Sequence, residues 1–209
     1  MGDETWTVEK IPLEEYQELI LLKDDKDKFD AKLDQLFSEP IGKSKWQYYA
    51  TMPDATGNVG QFVMGNEPSM HVAYLYNLVG KPWKTQKRVR MLMNTWFRND
   101  LMGIPGDEDG GGLSAFYVFS AMGFYPLTPA IPEYQIGSPL FKKIKIHLQN
   151  GKTFTILARN NSERNKYIIS ASLNGTFLKG TSISHNAITD GGTLVLEMSS
   201  KPDKNRSAE

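Results

Sequence analysis

Three consecutive carboxylates, Asp107-Glu108-Asp109, stand inside the run Gly106-Asp107-Glu108-Asp109-Gly110-Gly111-Gly112. Neighbouring negative charges repel one another, and the flanking glycines let the backbone aim them in different directions. In an extended segment residues i and i+2 point the same way, so Asp107 and Asp109 are expected to share a site while Glu108 points elsewhere. Such a carboxylate pair suits general-base activation of water or the binding of a hard cation. The plain alternative is an exposed acidic turn. The segment that follows, Leu113 to Phe124, is apolar on nearly every face and reads as a helix buried all round, which would anchor the loop in a core.

A second cluster is Gly65-Asn66-Glu67-Pro68-Ser69-Met70-His71. Asn66 and Glu67 sit at an expected helix start, and His71 lies four residues after Glu67, on the same α-helical face. Asn, Glu and carbonyl oxygens are calcium-type ligands. Ordinary capping explains the same residues, with Asn or Ser as the cap and Glu complementing the helix dipole. His71 taken alone reads as a structural histidine. Aromatic side chains are abundant, among them Trp46, Tyr74, Trp83, Trp96, Tyr117 and Tyr125. Sugar rings stack on such groups, but most fall on helical stripes and read as core. His147 and His185 read as surface residues of strands or turns. The sequence has no phosphate-binding glycine loop followed by Lys-Ser/Thr, no G-x-S-x-G elbow and no basic-aromatic nucleic-acid motif.

The elements that must position these residues change character near residue 130. Before it the patterns are helical: a first helix carrying Leu13, Tyr16, Leu19, Ile20 and Leu22, and a second over Asp25–Phe37 ended by Pro40. A third spans Glu67–Val79, a fourth Trp83–Leu101, and a fifth Leu113–Phe124. Residues 40–64 read as a long connection. After Pro126, Pro129 and Pro132 the signals are β: alternation through Ile144, Ile146 and Leu148, hairpin turns at Asn150-Gly151 and Asn174-Gly175, and a strand over Thr193–Met198. Several short strands suggest a small antiparallel β-sandwich. The expected organisation is a helical segment over 1–130 and a β-sandwich-like domain over 131–209, with Ser200–Glu209 frayed.

Composition bounds the rest. Forty per cent of the 209 residues are hydrophobic and 23% charged, and 24 basic side chains balance 24 acidic ones. That balance argues against nucleic acid or an anionic membrane surface as a partner. With no cysteine, disulfides, thiolate metal sites and a cysteine nucleophile are excluded. No stretch approaches the length of a membrane helix, and the acidic start Met1-Gly2-Asp3-Glu4-Thr5 is not a signal peptide.

The run Gly65-Asn66-Glu67-Pro68-Ser69, then His71-Val72-Ala73-Tyr74-Leu75-Tyr76-Asn77 and Gly80-Lys81-Pro82-Trp83-Lys84-Thr85-Gln86, resembles the signature block of glycoside hydrolase family 92. So do Gly106–Gly110, Ser114–Pro126, Tyr134–Phe141 and Asn160-Asn161-Ser162, in that order. The resemblance covers residues from about 11 to about 200. It implies an exo-acting, inverting, calcium-dependent α-mannosidase, of α-1,2 type, acting on mannose-containing glycans in carbohydrate metabolism or N-glycan degradation. It also implies a bacterial, exported context. The fold class it implies is α+β and multidomain, with a partial (α/α)6 toroid of about five helices and then the β-element. Asp109 and Asp107 align with the aspartates on the general-base side. Glu67 and His71 align with the sugar-binding block, and Asn66 with Glu67 with the calcium site.

The chain reads as the C-terminal portion of such an enzyme. The family's general acid is a glutamate in a block resembling Glu-Gly-Asn-Ala-Trp-Gln-Tyr, and that block is not found; Glu4-Thr5-Trp6 only echoes it. Two smaller departures are Met70, where the family often has a second His, and Gly112, where many members have Gln. The fragment is expected to be inactive alone. Its open half-ring would be covered by upstream domains or by self-association, and a non-catalytic carbohydrate-binding or oligomer-forming module on the same scaffold is the alternative.

Overall fold

The structure is a computed structural model that describes residues 26–51, 56–128 and 130–206. The first expected helix, through Leu13 and Leu22, lies outside the described residues. The second is α1 (Lys26–Leu36), which buries Phe29 and Leu33 on one stripe. The connection that follows contains a short helix, α2 (Lys45–Thr51), and a hairpin of β1 (Asn58–Val59) and β2 (Phe62–Val63). Ser44 starts α2 through a reciprocal capping box. Its Oγ accepts from the Gln47 N–H at 3.2 Å, and its own N–H donates to Gln47 Oε1 at 3.2 Å.

The third expected helix is not an α-helix. Glu67–Ser69 and Val72–Asn77 are two 3-10 segments. The second is buried throughout, from Val72 to Asn77. The long helix α3 (Pro82–Trp96) buries Val89, Leu92 and Met93. It stops short of Leu101 because Phe97 turns extended, at φ −108° and ψ 120°. The chain then closes a tight turn in which the Arg98 N–H donates to the Gly103 carbonyl at 2.9 Å. A Cβ at residue 103 would lie 1.9 Å from the Arg98 carbonyl oxygen, so only glycine fits.

Helix α4 (Gly112–Met122) was expected to be buried on every side. Instead it buries one stripe, Leu113, Phe116, Ser120 and Ala121, spaced at three to four residues as one helical face requires. Ser114, Ala115 and Val118 are exposed. Gly123 ends the helix at φ 102°, its N–H donating to the Phe119 and Ser120 carbonyls, a left-handed stop that glycine takes without strain.

The remaining strands form two sheets. The larger has five strands in the order β5 (Lys143–His147), β6 (Thr153–Arg159), β10 (Gly192–Ser199), β7 (Tyr167–Leu173) and β8 (Thr176–Phe177). The smaller runs β3 (Phe124–Pro126), β4 (Glu133–Ile136), β9 (Ser182–Ser184). A short helix, α5 (His185–Thr189), follows β9. The β segment is mixed rather than wholly antiparallel, because β10 runs parallel to β6, with Leu194 opposite Ile156. The hairpin turns fall at Gly151 and Gly175, both at positive φ. Residues of both sheets, including Phe124, Ile136, Phe154, Ile156, Leu194 and Leu196, share one apolar core. A second core holds the helical elements and the 3-10 segments.

Buried polar bonds tie the helical elements to the sheets. Asn77 Nδ2 donates to Gln135 Oε1 at 3.2 Å and to the Ile136 carbonyl at 3.0 Å. Gln86 Oε1 accepts from the Ile168 N–H at 3.0 Å. Arg90, 4% exposed, donates to the Ser138 carbonyl at 3.2 Å and also to the Pro139 carbonyl and Asn161 Oδ1. The tail is partly held rather than frayed. Arg206 donates to the Gly180 carbonyl at 3.4 Å, and the Lys204 ammonium lies over the Trp83 ring at 5.5 Å.

Candidate functional site

The two motif loops meet through a pair of glycines. A Cβ on Gly106 would lie 2.2 Å from the Gly65 carbonyl oxygen, and one on Gly65 would lie 3.0 Å from Gly106 Cα. Backbone therefore passes against backbone at the point where the Asn66-Glu67 segment and the acidic loop diverge. The Gly65 strand end is held in turn by its N–H donating to the Thr56 carbonyl at 2.9 Å. Larger residues at either position would separate the two carboxylate-bearing loops.

Beyond this crossing the acidic loop turns instead of extending. Glu108 is helical, at φ −73° and ψ −29°. Asp109 (φ 44°), Gly110 (φ 70°) and Gly111 (φ 97°) are successively left-handed, a conformation that Asp tolerates better than most non-glycine residues. The alternation of an extended strand does not apply, and the expected partnership changes. Glu108 turns back to α4, where its Oε1 accepts from the Ser114 N–H at 3.2 Å, a carboxylate at the positive end of a helix. Asp109, not Asp107, is brought against Glu67. Asp107 and Asp109 are both exposed.

Glu67 is the focus of the cluster. Its Oε1 is shielded from solvent and has no hydrogen-bond partner among the described residues. Burial, followed by the negative charges of Asp109 and Glu108, raises its carboxyl above the ordinary carboxylate range, against the lowering effect of a hydrogen bond from its own backbone. The Tyr125 phenol is pushed up to about 12 by burial and by the Glu67 charge, and its hydroxyl meets Met70 Sδ at 3.5 Å. Tyr125 is stacked on Tyr74, centroids 5.4 Å apart. This tyrosine, one of the aromatics that read as core from the sequence, is a neighbour of the site.

The predicted pairing of Glu67 with His71 assumed α-helical geometry. A 3-10 turn repeats every three residues, so Met70 takes the place over Glu67. A Cβ on Gly112 would meet Glu67 Cγ at 3.2 Å, Glu67 Oε1 at 3.3 Å and Met70 Cε at 3.6 Å. The two departures from the family pattern, Met70 and Gly112, are thus neighbours in space. His71 is buried, and burial lowers its pKa to about 4, so its imidazole is neutral near neutral pH. Asn66 is extended, at φ −131° and ψ 132°, and makes no side-chain cap bond, so ordinary N-capping does not account for it.

A buried, unpartnered carboxylate oxygen beside two further carboxylates is the donor chemistry of a hard divalent cation, and the residues fit calcium in kind. Among the described residues, however, no three acidic, histidine or cysteine side chains converge into a cage. Glu67 and Asn66 would supply part of a coordination shell.

The glycosyl hydrolase family 92 catalytic domain matches residues 3–200, and the chain belongs to that family. It resembles a family GH92 α-mannosidase of Bacteroides thetaiotaomicron solved with mannoimidazole, at 34% identity and a TM-score of 0.81, over 88% of this chain and 24% of that one. It also resembles an inverting family GH92 mannosidase of Bacteroides thetaiotaomicron VPI-5482, at 40% identity and a TM-score of 0.79, over 93% of this chain and 27% of that one. An uncharacterized secreted glycosidase of Arthroderma benhamiae is 36% identical over 138 residues, 65% of this chain and 18% of that protein. The chain therefore spans about a quarter or less of the length of these relatives. No helix among the described residues is long and apolar enough to cross a membrane.

The family match begins at residue 3, further toward the start of the chain than the motifs alone suggested. Trp46 is 88% exposed. Glu4 lies outside the described residues.

Proposed function

We propose that this chain carries the base side and part of the calcium site of an exo-acting, inverting α-mannosidase. The observation that carries the reading is the convergence of Asp109 on Glu67 at the glycine crossing. Asp109, exposed at the loop tip, is the general base: it takes a proton from water as the water oxygen attacks the anomeric carbon and the glycosidic bond breaks on the opposite face. Asp107 stands beside it on the solvent side and orients the water. Glu67 holds its own proton more tightly than an ordinary carboxylate. Glu67, Asn66 and the neutral His71 line the sugar side. A bound calcium ion would neutralise the carboxylates and template mannose hydroxyls. The α-1,2 linkage is the preference that the family resemblance favours.

In a protein long enough to release mannose, Asp109→Ala is expected to lower kcat by on the order of 10²–10⁴. Near-normal turnover would refute the base assignment. A second reading is favoured by the sequence, in which the Glu-Gly-Asn-Ala-Trp-Gln-Tyr block is not found: without a general acid, the scaffold would bind mannose without cleaving it. Calorimetry with an α-mannoside, beside an assay for released mannose, separates the two. Heat without release supports the binding module, and robust release by this chain contradicts it.

A further inference from the structure

Away from the acidic loop, a cleft of about 580 Å³ opens between α3, the middle of α4 and the loops that flank β5 and β6. One wall is aromatic: Phe97 and Tyr117 are both half-buried and stack with centroids 5.1 Å apart. Tyr117 follows Gly112 by about 7 Å of helix rise, so this wall is distinct from the Glu67–Asp109 contact. Arg90 also lines the cleft. Its Nε and Nη2 are committed to Ser138, Pro139 and Asn161, which fixes the guanidinium plane, while Nη1 makes no bond to a described residue. Asn94 stands exposed at the rim with both an amide donor and an amide acceptor, and Glu163 adds an acceptor.

An aromatic face, a clamped guanidinium, a bifunctional amide and one carboxylate match a ligand that has a C–H face and hydroxyls that both donate and accept. Lys142 lines the cleft as well, so both signs of charge are present, and it is the aromatic face with the bifunctional Asn94 amide that selects a neutral polyol. The volume suits a small molecule of one to a few rings. We propose that this cleft is a second saccharide site, taking a neutral pyranose unit of a glycan. The proposal rests on reading the chain as acting on glycans, and it extends that reading to a surface outside the acidic loop.

The test is heteronuclear NMR of this chain titrated with methyl α-mannoside, with and without calcium, at sugar concentrations on the order of 10 mM, as expected for a site with so few contacts. The expected result is calcium-independent shifts of the Asn94 side-chain amide and the Phe97 and Tyr117 ring signals. Asn94→Ala on the exposed rim should weaken the Phe97 and Tyr117 ring shifts at least severalfold, and Tyr117→Ala should abolish those of the Asn94 amide and the Phe97 ring. An unchanged melting temperature for Asn94→Ala would exclude a folding artefact. Shifts confined to Gly110–Gly112 would overturn the cleft and leave the proposed function standing. Glucuronate shifting the cleft signals while the neutral sugar does not would overturn the assignment to a neutral sugar. No shift anywhere would overturn the cleft and count against the glycan reading as well.

Discussion

The raised Glu67 carboxyl makes a prediction that runs against the usual effect of removing a native side chain. In Glu67→Gln the side chain keeps its size and loses its charge. The wild-type carboxylate is disfavoured by burial and by Asp109 and Glu108, so its folded-state pKa lies above its unfolded value. Its contribution to stability is therefore fully present below the unfolded value of about 4.5 and is lost as pH rises through the folded value. Near neutral pH the charge costs stability, and glutamine removes that cost. The group is partly solvated, so the gain is that of a screened surface pair, about 0.5 kcal/mol. For a chain of this size it should raise Tm by about 1–2 °C. Calcium reverses the comparison. At about 100 times its dissociation constant a ligand stabilises by about 2.7 kcal/mol, or roughly 5–10 °C here, and Glu67→Gln should lose most of that. The assay is differential scanning fluorimetry at pH 7 in chelator and in calcium. A Glu67→Gln protein that melts below wild type in chelator, or one that calcium stabilises as much as wild type, would refute the reasoning.

Other outcomes follow from the same geometry. Gly112 is helical, at φ −60°, so Gly112→Ala gains about 1 kcal/mol of helix propensity, but its Cβ would press on Glu67 at 3.2 Å; the expected result is an equal or higher Tm with weaker calcium binding, and unchanged calcium binding would contradict it. His71, with its pKa lowered from 6.5 to about 4 by burial, contributes stability that is present above pH 6.5 and lost as pH falls toward 4, about 3 kcal/mol in all. A pH series of urea melts should show that loss, and His71→Gln should remove it. Arg90→Met leaves Asn161 Oδ1 and the buried Ser138 carbonyl short of a donor, while the Pro139 carbonyl keeps that of Asn161 Nδ2, and should cost about 2–4 kcal/mol by urea titration; a loss below 1 kcal/mol would mean that the junction is not carried by this side chain.

The strands were legible because alternation and Asn-Gly turns are local signals, and both hairpins fall where those turns place them. The parallel pairing of β10 with β6 was not, because parallel partners distant in sequence leave no local mark. Composition misled at α4: an apolar sequence does not say which of its faces find neighbours, and Val118 finds none. The two site loops were recognised, yet their contacts were misassigned. An α-helical period put His71 over Glu67, whereas the 3-10 turn puts Met70 there. An extended acidic loop would pair Asp107 with Asp109, whereas the left-handed run from Asp109 to Gly111 pairs Asp109 with Glu67. Neither outcome is encoded within a single loop. Both depend on the crossing of Gly65 and Gly106, residues that lie forty-one positions apart.

The account turns on whether Glu67 and the acidic loop form one calcium-dependent sugar site. The most direct measurement follows the backbone amides of Gly110, Gly111 and Gly112 by NMR as an α-mannoside is added. They should shift with calcium present, stay still in chelator, and stay still in Glu67→Gln under both conditions. Shifts of equal size in chelator, or in Glu67→Gln, would contradict it.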